Sequence, residues 1–284
     1  MGFPIVSVLI MLGLAAGMFY GQAQYKKKKA EWGKTLTILC GILIIVTALY
    51  TNLCRSPIDT RAIEREKQYQ DAQAIVLAAN LAQMYQGGNG KCLLIHHPIT
   101  GEQGQADLDR IKEAFNQGFG GKVSEIRAVP IKNIPPGNDE MMMEEAMMEM
   151  TADDFNKVIN ANSDCDIVLT MVSLPFAEDE LFNMEIFEMI EDEDNPGQYK
   201  RNPERKYPLV GIYNGYVGNL TEFFYDKLIG AMSLWKPNPE IDEKPVPEDP
   251  QAAFDKRYLI IREDNIDNME AKYPKLFPKP KEDK

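Results

Sequence analysis

The chain has 284 residues, with 31 lysines and arginines against 43 aspartates and glutamates, which gives a formal net charge of −12 at pH 7. Phosphate backbones are bound by basic faces, so this acidic balance argues against nucleic acid as a partner. It argues in the same way against recruitment to anionic membrane surfaces.

Two uncharged apolar stretches, Phe3–Gly21 and Thr35–Tyr50, lie on either side of the run Lys26–Lys29. A bilayer core about 30 Å thick requires roughly 20 apolar residues of helix, and each stretch approaches that length with its flanking residues. The sequence therefore predicts that residues 1–54 form a hairpin of two transmembrane helices.

The lysines predict the orientation of this hairpin, because short loops rich in Lys and Arg remain on the cytoplasmic side. Both termini and the main domain would then be extracytoplasmic, in the periplasm or at the cell exterior. The alternative is a signal peptide cut before Gln24. Against that alternative, Met1–Pro4 carries no basic residue, and cleavage would leave the lysines outside.

Small residues recur in the first stretch at Gly13, Gly17 and Gly21, which places them on one helical face. Such a face lets another helix approach closely. Its partner is either the second stretch, through Thr37 and Gly41, or a second copy of the chain in a homo-oligomer.

Beyond the hairpin, residues 55–86 are predicted to form a membrane-proximal helix and residues 87–284 an extracytoplasmic α/β domain. Short apolar runs between turn signals alternate with helical patterns, which is typical of a doubly wound, mostly parallel sheet of about five to six strands covered on both faces. The predicted strands are Lys91–His96, Val123–Ile131, Asp166–Val172, Leu209–Tyr213, Ala231–Trp235 and Tyr258–Ile261. The predicted helices are Asp59–Tyr85, Asp107–Phe115, Thr151–Ile159 (with Thr151 as its cap) and Leu220–Leu228.

Two kinds of sulfur-containing residues leave alternatives open. Cys92 and Cys165 each lie near the start of a predicted strand, and they either form a disulfide or remain buried free thiols. The segment Met141–Met150 holds six of the 15 methionines. It either packs on the domain as a flexible apolar face, contacts a partner, or offers thioethers to Cu(I).

Two further segments are predicted to leave the sheet. Phe176–Pro208 contains the acidic run Glu191–Asp194 and is expected to form a solvated lid or loop, and Pro237–Pro250 is rich in proline.

Three strand ends resemble one lobe of the type I periplasmic binding proteins of transporters and receptors. The residues that carry the resemblance are Leu94–Gly101, Asp166–Pro175 and Val210–Gly215, within roughly 170 residues. The resemblance implies that this domain has the shape of one such lobe and contains a cleft for a ligand. Those proteins close two lobes over a ligand, whereas this chain has length for one lobe with insertions.

Ligands of open parallel sheets bind beyond the carboxyl ends of the strands, where the chain order reverses. The loops expected there supply the predicted ligand-binding residues, which are His96, His97, Thr100, Gly101, Ser173, Asn214 and Gly215. Neighbouring residues on a strand point to opposite faces, so the two histidines do not suggest a metal site. No motif for a metal or a cofactor is present, and none is predicted.

Three functions are compatible with these patterns. The first is a membrane-anchored extracytoplasmic module that recognises a small solute or a protein partner, with neutral or cationic solutes favoured by a domain charge of about −16 after Arg55. The second is a structural subunit of an envelope membrane complex. The third is an enzyme acting through the strand-end loops, including Glu102. No nucleophile, base and orienting group can be recognised together, which argues against the enzyme.

Overall fold

The structure is a computed structural model that describes residues 3–29, 31–53, 60–132, 150–175, 178–191, 199–202, 206–218 and 220–277. Contacts within the chain divide it into two compact units, Met1–Glu64 and Arg65–Lys284.

The first unit contains two antiparallel helices, α1 (Phe3–Lys28) and α2 (Glu31–Leu53). Their backbones come close at Gly21 and Gly33, because a Cβ built on Gly21 would lie 2.8 Å from the carbonyl oxygen of Gly33. One helical turn away, a Cβ on Gly17 would lie 3.2 Å from Sγ of Cys40. Two of the three glycines of the predicted small-residue face therefore pack against α2 of the same chain, whereas nothing lies within 4 Å of a Cβ on Gly13.

Within the described ranges, no helix is both long enough and apolar enough to pass through a bilayer. The two predicted helices are present, and the prediction that they are transmembrane is not supported by this finding.

The second unit is built on a six-stranded sheet with the order β2-β1-β3-β6-β7-β8. All neighbouring strands are parallel except β7 and β8, which are antiparallel. This confirms the predicted α/β fold with a mostly parallel sheet. The strands of the sheet are β1 (Gly90–His96), β2 (Val123–Pro130), β3 (Ile167–Thr170), β6 (Leu209–Ile212), β7 (Ala231–Trp235) and β8 (Tyr258–Ile261). A separate antiparallel pair consists of β4 (Met189–Glu191) and β5 (Tyr199–Arg201).

Helices cover both faces of the sheet, because the inner strands are apolar on both sides. The helices of this unit are α3 (Thr60–Met84), α4 (Gly101–Phe119), α5 (Ala152–Asn160), α6 (Glu178–Phe182), α7 (Thr221–Tyr225), α8 (Pro250–Arg257) and α9 (Ile266–Lys272), with 3-10 turns at Glu185–Phe187 and Pro274–Leu276. On one face α3 and α4 pack against alternate strand residues such as Leu94 and Leu169. On the other face α5, α7 and α9 pack against Leu93, Ile95 and Val168.

The start of α5 agrees with the predicted cap. The Thr151 hydroxyl accepts a hydrogen bond from the Asp154 N–H, and the Asp154 carboxylate accepts one from the Thr151 N–H, so the two residues form a reciprocal capping box. Helix α4 begins at Gly101, six residues earlier than predicted. The prediction missed this first turn because the turn is polar and lacks an apolar stripe.

Residues 141–149 of the methionine-rich segment and residues 192–198 of the acidic excursion lie outside the described residues.

Cys92 lies in β1 and Cys165 lies two residues before β3, and the two cysteines belong to the cores on opposite faces of the sheet. Cys92 belongs to the core beneath α3 and α4, whereas Cys165 belongs to the core beneath α5 and α7. Both are buried free thiols. Of the two alternatives left open by the sequence, the structure therefore shows free thiols, because the sheet separates the side chains. Burial raises the Cys92 pKa strongly, so this thiol is unreactive at neutral pH.

Close packing between α3 and α4 generates a stability prediction. A Cβ on Gly118 would lie against the Ile75 carbonyl oxygen at a distance that real Cβ atoms do not adopt. We expect Gly118→Ala to destabilise the protein by about 1–3 kcal/mol, because the two helices must move apart. Gly88→Ala is the matched control, since nothing lies within 4 Å of its Cβ. Urea denaturation of both variants measures the difference, and equal midpoints would contradict the packing described.

Candidate functional site

The chain order of the sheet reverses at β1, which lies between β2 and β3. The chain first winds outward from β1 to β2 and then crosses to the other side for β3. At the carboxyl ends the Met171 N–H donates to the Ile95 carbonyl over 2.8 Å, and the Tyr213 N–H donates to the Thr170 carbonyl over 2.8 Å. The ends of β1, β3 and β6 are therefore level with one another, and the loops that follow them leave from the same edge of the sheet.

His96 and His97 lie at the end of β1, and their side chains have different surroundings. His96 is 8% exposed, and its Nδ1 lies 2.7 Å from the His97 carbonyl oxygen. This contact assigns the proton to Nδ1, which leaves Nε2 as an acceptor. Nδ1 of His97 is buried and has no hydrogen-bond partner among the described residues. Burial lowers the pKa of both rings, and the neighbouring His96 lowers the pKa of His97 further.

A groove of about 710 Å³ runs along the edge strand β2 and beside α4. It reaches the carboxyl edge of the sheet at His96. Its apolar wall is formed by Ile99, Leu108, Ile126 and Ala128. Its polar and charged lining consists of His96, Gln105, Asp109, Lys112, Glu125, Arg127 and Lys132. The groove therefore combines an apolar surface with side chains of both charge signs.

Thr100 and Gly101 mark the beginning of α4. Thr100 takes the N-cap position with extended backbone, yet its hydroxyl makes no capping hydrogen bond. Gly101 has φ 77°, a left-handed conformation that glycine adopts without strain. Both residues are exposed, as is Ser173 after β3. The predicted donors of this edge are therefore accessible to solvent.

Asn214 is held by a buried polar contact with α3. Its Oδ1 accepts a hydrogen bond of 2.8 Å from Nε2 of Gln73, and its backbone is left-handed with φ 57°. Gln73 is completely buried and also donates to Oγ of Ser233 over 3.0 Å. The Gln73 Oε1 atom has no hydrogen-bond partner among the described residues. The contact fixes the loop after β6 to α3.

Gly215 packs closely against β7, because a Cβ there would overlap the Met232 side chain and that side chain would have to move. Its N–H donates to the Ser233 carbonyl over 2.9 Å.

The sequence patterns did not predict the roles of Gln73 and Ser233 at this edge. One signal was available for Gln73, since it is the polar residue that interrupts the apolar surroundings of Ala72 and Ala74 in α3.

Of the seven predicted ligand-binding residues, His96 lines the groove described above, and the other six are not among its lining residues. A second cavity of about 330 Å³ between α3 and residues 246–250 contains none of the seven. The assignment of these residues to one site therefore stays a prediction. Within the described residues, no group of three or more His, Cys, Asp or Glu side chains is arranged to hold a metal ion.

Comparison with known proteins gives structural neighbours alone. No protein-family model matches the chain. No curated protein matches it.

Among solved structures, a solute-binding protein of an ABC transporter from Burkholderia graminis in complex with D-arabinose matches with 11% identity and a TM-score of 0.38, over 69% of this chain and 61% of that one. AraP, an arabinose-binding protein from Geobacillus stearothermophilus, matches with 12% identity and a TM-score of 0.36, over 70% of this chain and 62% of that one. A periplasmic solute-binding protein from Actinobacillus succinogenes with bound D-allose matches with 12% identity and a TM-score of 0.36, over 70% of this chain and 62% of that one.

The chain thus covers less than two thirds of the length of these proteins. The structural neighbours are of the kind that the strand ends of the sequence resemble, and they match at low identity and low TM-score. At these values the likeness carries no argument about a ligand.

The histidine pair generates a pH prediction. Both pKa values lie below the ordinary value of 6.5, so below about pH 6.5 the unfolded chain binds protons that the folded chain does not. This contribution is absent above pH 6.5 and destabilises the fold increasingly as the pH falls towards the folded-state values. We expect the melting temperature of the wild type to fall more between about pH 7.5 and about pH 5.5 than that of His96→Gln/His97→Gln. If the melting temperatures of the wild type and the double variant fell equally with pH, the prediction that folding lowers the pKa of the two rings would be wrong.

Proposed function

We propose that this chain is a membrane-anchored, extracytoplasmic binding module that recognises a small solute at the carboxyl edge of its sheet. The observation that carries the proposal is the reversal of chain order at β1, next to β3. In open α/β sheets a crevice forms at this point, since the loops after the two strands leave towards opposite faces. His96, His97 and Ser173 follow those two strands.

The groups at this edge favour an uncharged, hydroxylated solute. Lowered pKa values keep both histidine rings neutral at pH 7. The Ser173 hydroxyl and the exposed start of α4 at Thr100 and Gly101 add further donors and acceptors without adding charge. Polyanions are disfavoured by the acidic domain, whose formal charge of about −16 is that of the residues from Arg55 onward. Asn214 and Gly215 would shape the far wall of the crevice.

Membrane anchoring is supported by the side chains of the helical hairpin. Large apolar residues of α2 are exposed, with Ile38 at 54%, Ile42 at 53% and Ile45 at 60%. Covering such side chains with lipid removes apolar surface from water. Tyr20 and Trp32 lie together, with ring centroids 6.3 Å apart, near the lysine-rich turn. Aromatic rings of this kind are frequent at the membrane interface.

Ligand binding predicts a thermal shift of the purified full-length chain. A solute at a hundredfold excess over its Kd stabilises the folded state by about 2.7 kcal/mol, which is readily seen in a melt. We expect a neutral sugar or a neutral amino acid to give the shift in a panel of sugars, amino acids and small acids. Ser173→Trp should abolish it by filling the crevice, while Asn116→Trp, on an exposed position of α4, should not.

Two results would count against the solute-binding proposal. One is a complete panel without any shift. The other is a shift that Ser173→Trp leaves unchanged. If crosslinking in membranes then captured one consistent protein neighbour, the solute-binding proposal would be replaced by the alternative of a structural subunit of an envelope membrane complex.

Topology can be tested with a thiol reagent that does not cross membranes, in a background whose four native cysteines are replaced by alanine. A cysteine placed at Gln24 should react only after lysis, because the lysine-rich turn remains inside. A cysteine placed at Asn238, which is exposed, should react in intact spheroplasts. The reverse pattern would contradict the proposed location, and a mature chain beginning at Gln24 would establish the signal-peptide alternative.

A further inference from the structure

We propose that the free edge of β2 is a second binding site, which accepts an extended segment of a partner protein as an additional strand of the sheet. This inference goes beyond the proposed solute site and does not depend on it. It rests on the backbone groups of β2, on the groove beside that strand and on the charge of Lys112.

The backbone of β2 offers hydrogen-bonding groups on its outer side. Within the described residues, β2 lies at the end of the sheet and pairs with β1 alone. The Ile131 N–H donates to the His96 carbonyl over 2.9 Å, which directs the backbone of residue 131 towards β1. Backbone groups alternate along a strand, so those of Arg127 and Val129 also point to β1. The N–H and C=O groups of Ile126 and Ala128 therefore point outward.

The same two residues line the groove. A strand added beside β2 would bond to the backbones of Ile126 and Ala128, and alternate side chains of that strand would enter the groove next to them. The volume of about 710 Å³ is sufficient for two side chains of moderate size. Pro130 has no N–H and so ends the pairing at the carboxyl edge, which limits the added strand to a short segment.

The lining of the groove specifies the chemistry of this segment. Leu108 and Ile99 form an apolar surface near Ala128 and favour an apolar side chain. Lys112 lies one helical turn further along α4 and makes no ion pair with any described residue. The other cations of the groove are already paired, since Arg127 pairs with Asp164 at 2.9 Å and Lys132 pairs with Asp154 at 3.1 Å. We therefore expect a partner segment with an apolar and an acidic side chain two positions apart.

The test uses the full-length chain in detergent and a random heptapeptide library displayed on phage. Selection on the wild type, with counter-selection on Ala128→Pro, should enrich peptides with an apolar and an acidic residue two positions apart. Proline on the outer side of an edge strand removes the outward N–H and leaves the pairing with β1 intact. The strongest enriched heptapeptide, synthesised with a fluorescent label, is then the probe. We expect Ala128→Pro to weaken its binding at least about tenfold and Ala128→Val, which keeps the N–H, to retain it.

Two further measurements do not depend on the folding of the proline variant. N-methylation of the peptide at successive positions should weaken binding at every second position, because only alternate N–H groups of a strand face its neighbour. Lys112→Glu should reverse the preference between the peptide and its copy in which lysine replaces the acidic residue. Failure to enrich any peptide, equal effects of N-methylation at all positions, or binding unchanged in folded Ala128→Pro would each overturn the proposal.

Discussion

The complete burial of β1 is the constraint on which the rest of this domain depends. Cys92, Leu93, Leu94 and Ile95 each have no exposed surface. A strand that is apolar on both faces must be covered on both faces, so helices are needed above and below it and strands on either side. The position of β1 between β2 and β3 also produces the reversal of chain order. The packing requirement of one apolar strand thus places the loops at which ligands of such sheets bind.

The carboxyl edge of the sheet is held by polar contacts that are unusual for their burial. Gln73 lies in the core and connects α3 to the loop after β6 and to the middle of β7 through Asn214 and Ser233. A buried amide with satisfied donors restricts the neighbouring segments, because breaking those bonds leaves polar groups without water. The loop after β6 is therefore rigidly attached to α3. This rigidity suits a site that selects a ligand by shape.

His96 belongs to two surfaces at once. It ends β1 at the carboxyl edge, and its side chain lines the groove beside β2. A solute at the edge and a strand on β2 would therefore be near the same imidazole ring. Binding at one position can influence binding at the other only if the ring has two arrangements with different affinities. The groove and the edge remain chemically distinct, since the first is partly apolar with Lys112, which makes no ion pair among the described residues, and the second offers neutral polar groups.

Local patterns of residues are sufficient to predict the elements of the sheet. Runs such as Leu93–Ile95 and Val168–Leu169 are continuous apolar segments, and their character depends only on neighbouring residues, so the strands, the Thr151 cap and the parallel sheet could be predicted. The two helices of the first unit and the small residues at Gly17 and Gly21 were predicted for the same reason, although α1 continues to Lys28 and α2 begins at Glu31, beyond the apolar stretches. Helix α4 was predicted too short because its polar first turn carries no periodic signal.

Only the tertiary structure decided which distant residues meet. Gln73 and Asn214 are 141 positions apart, and their contact depends on how α3 crosses the sheet. Cys92 and Cys165 belong to separate cores, because Cys165 precedes β3 and contacts the core of the opposite face. The groove along β2 exists because α4 lies beside an edge strand, and no local pattern encodes which strand is at the edge. The sequence therefore determined what forms locally, and the packing of those elements decided which surfaces are left open.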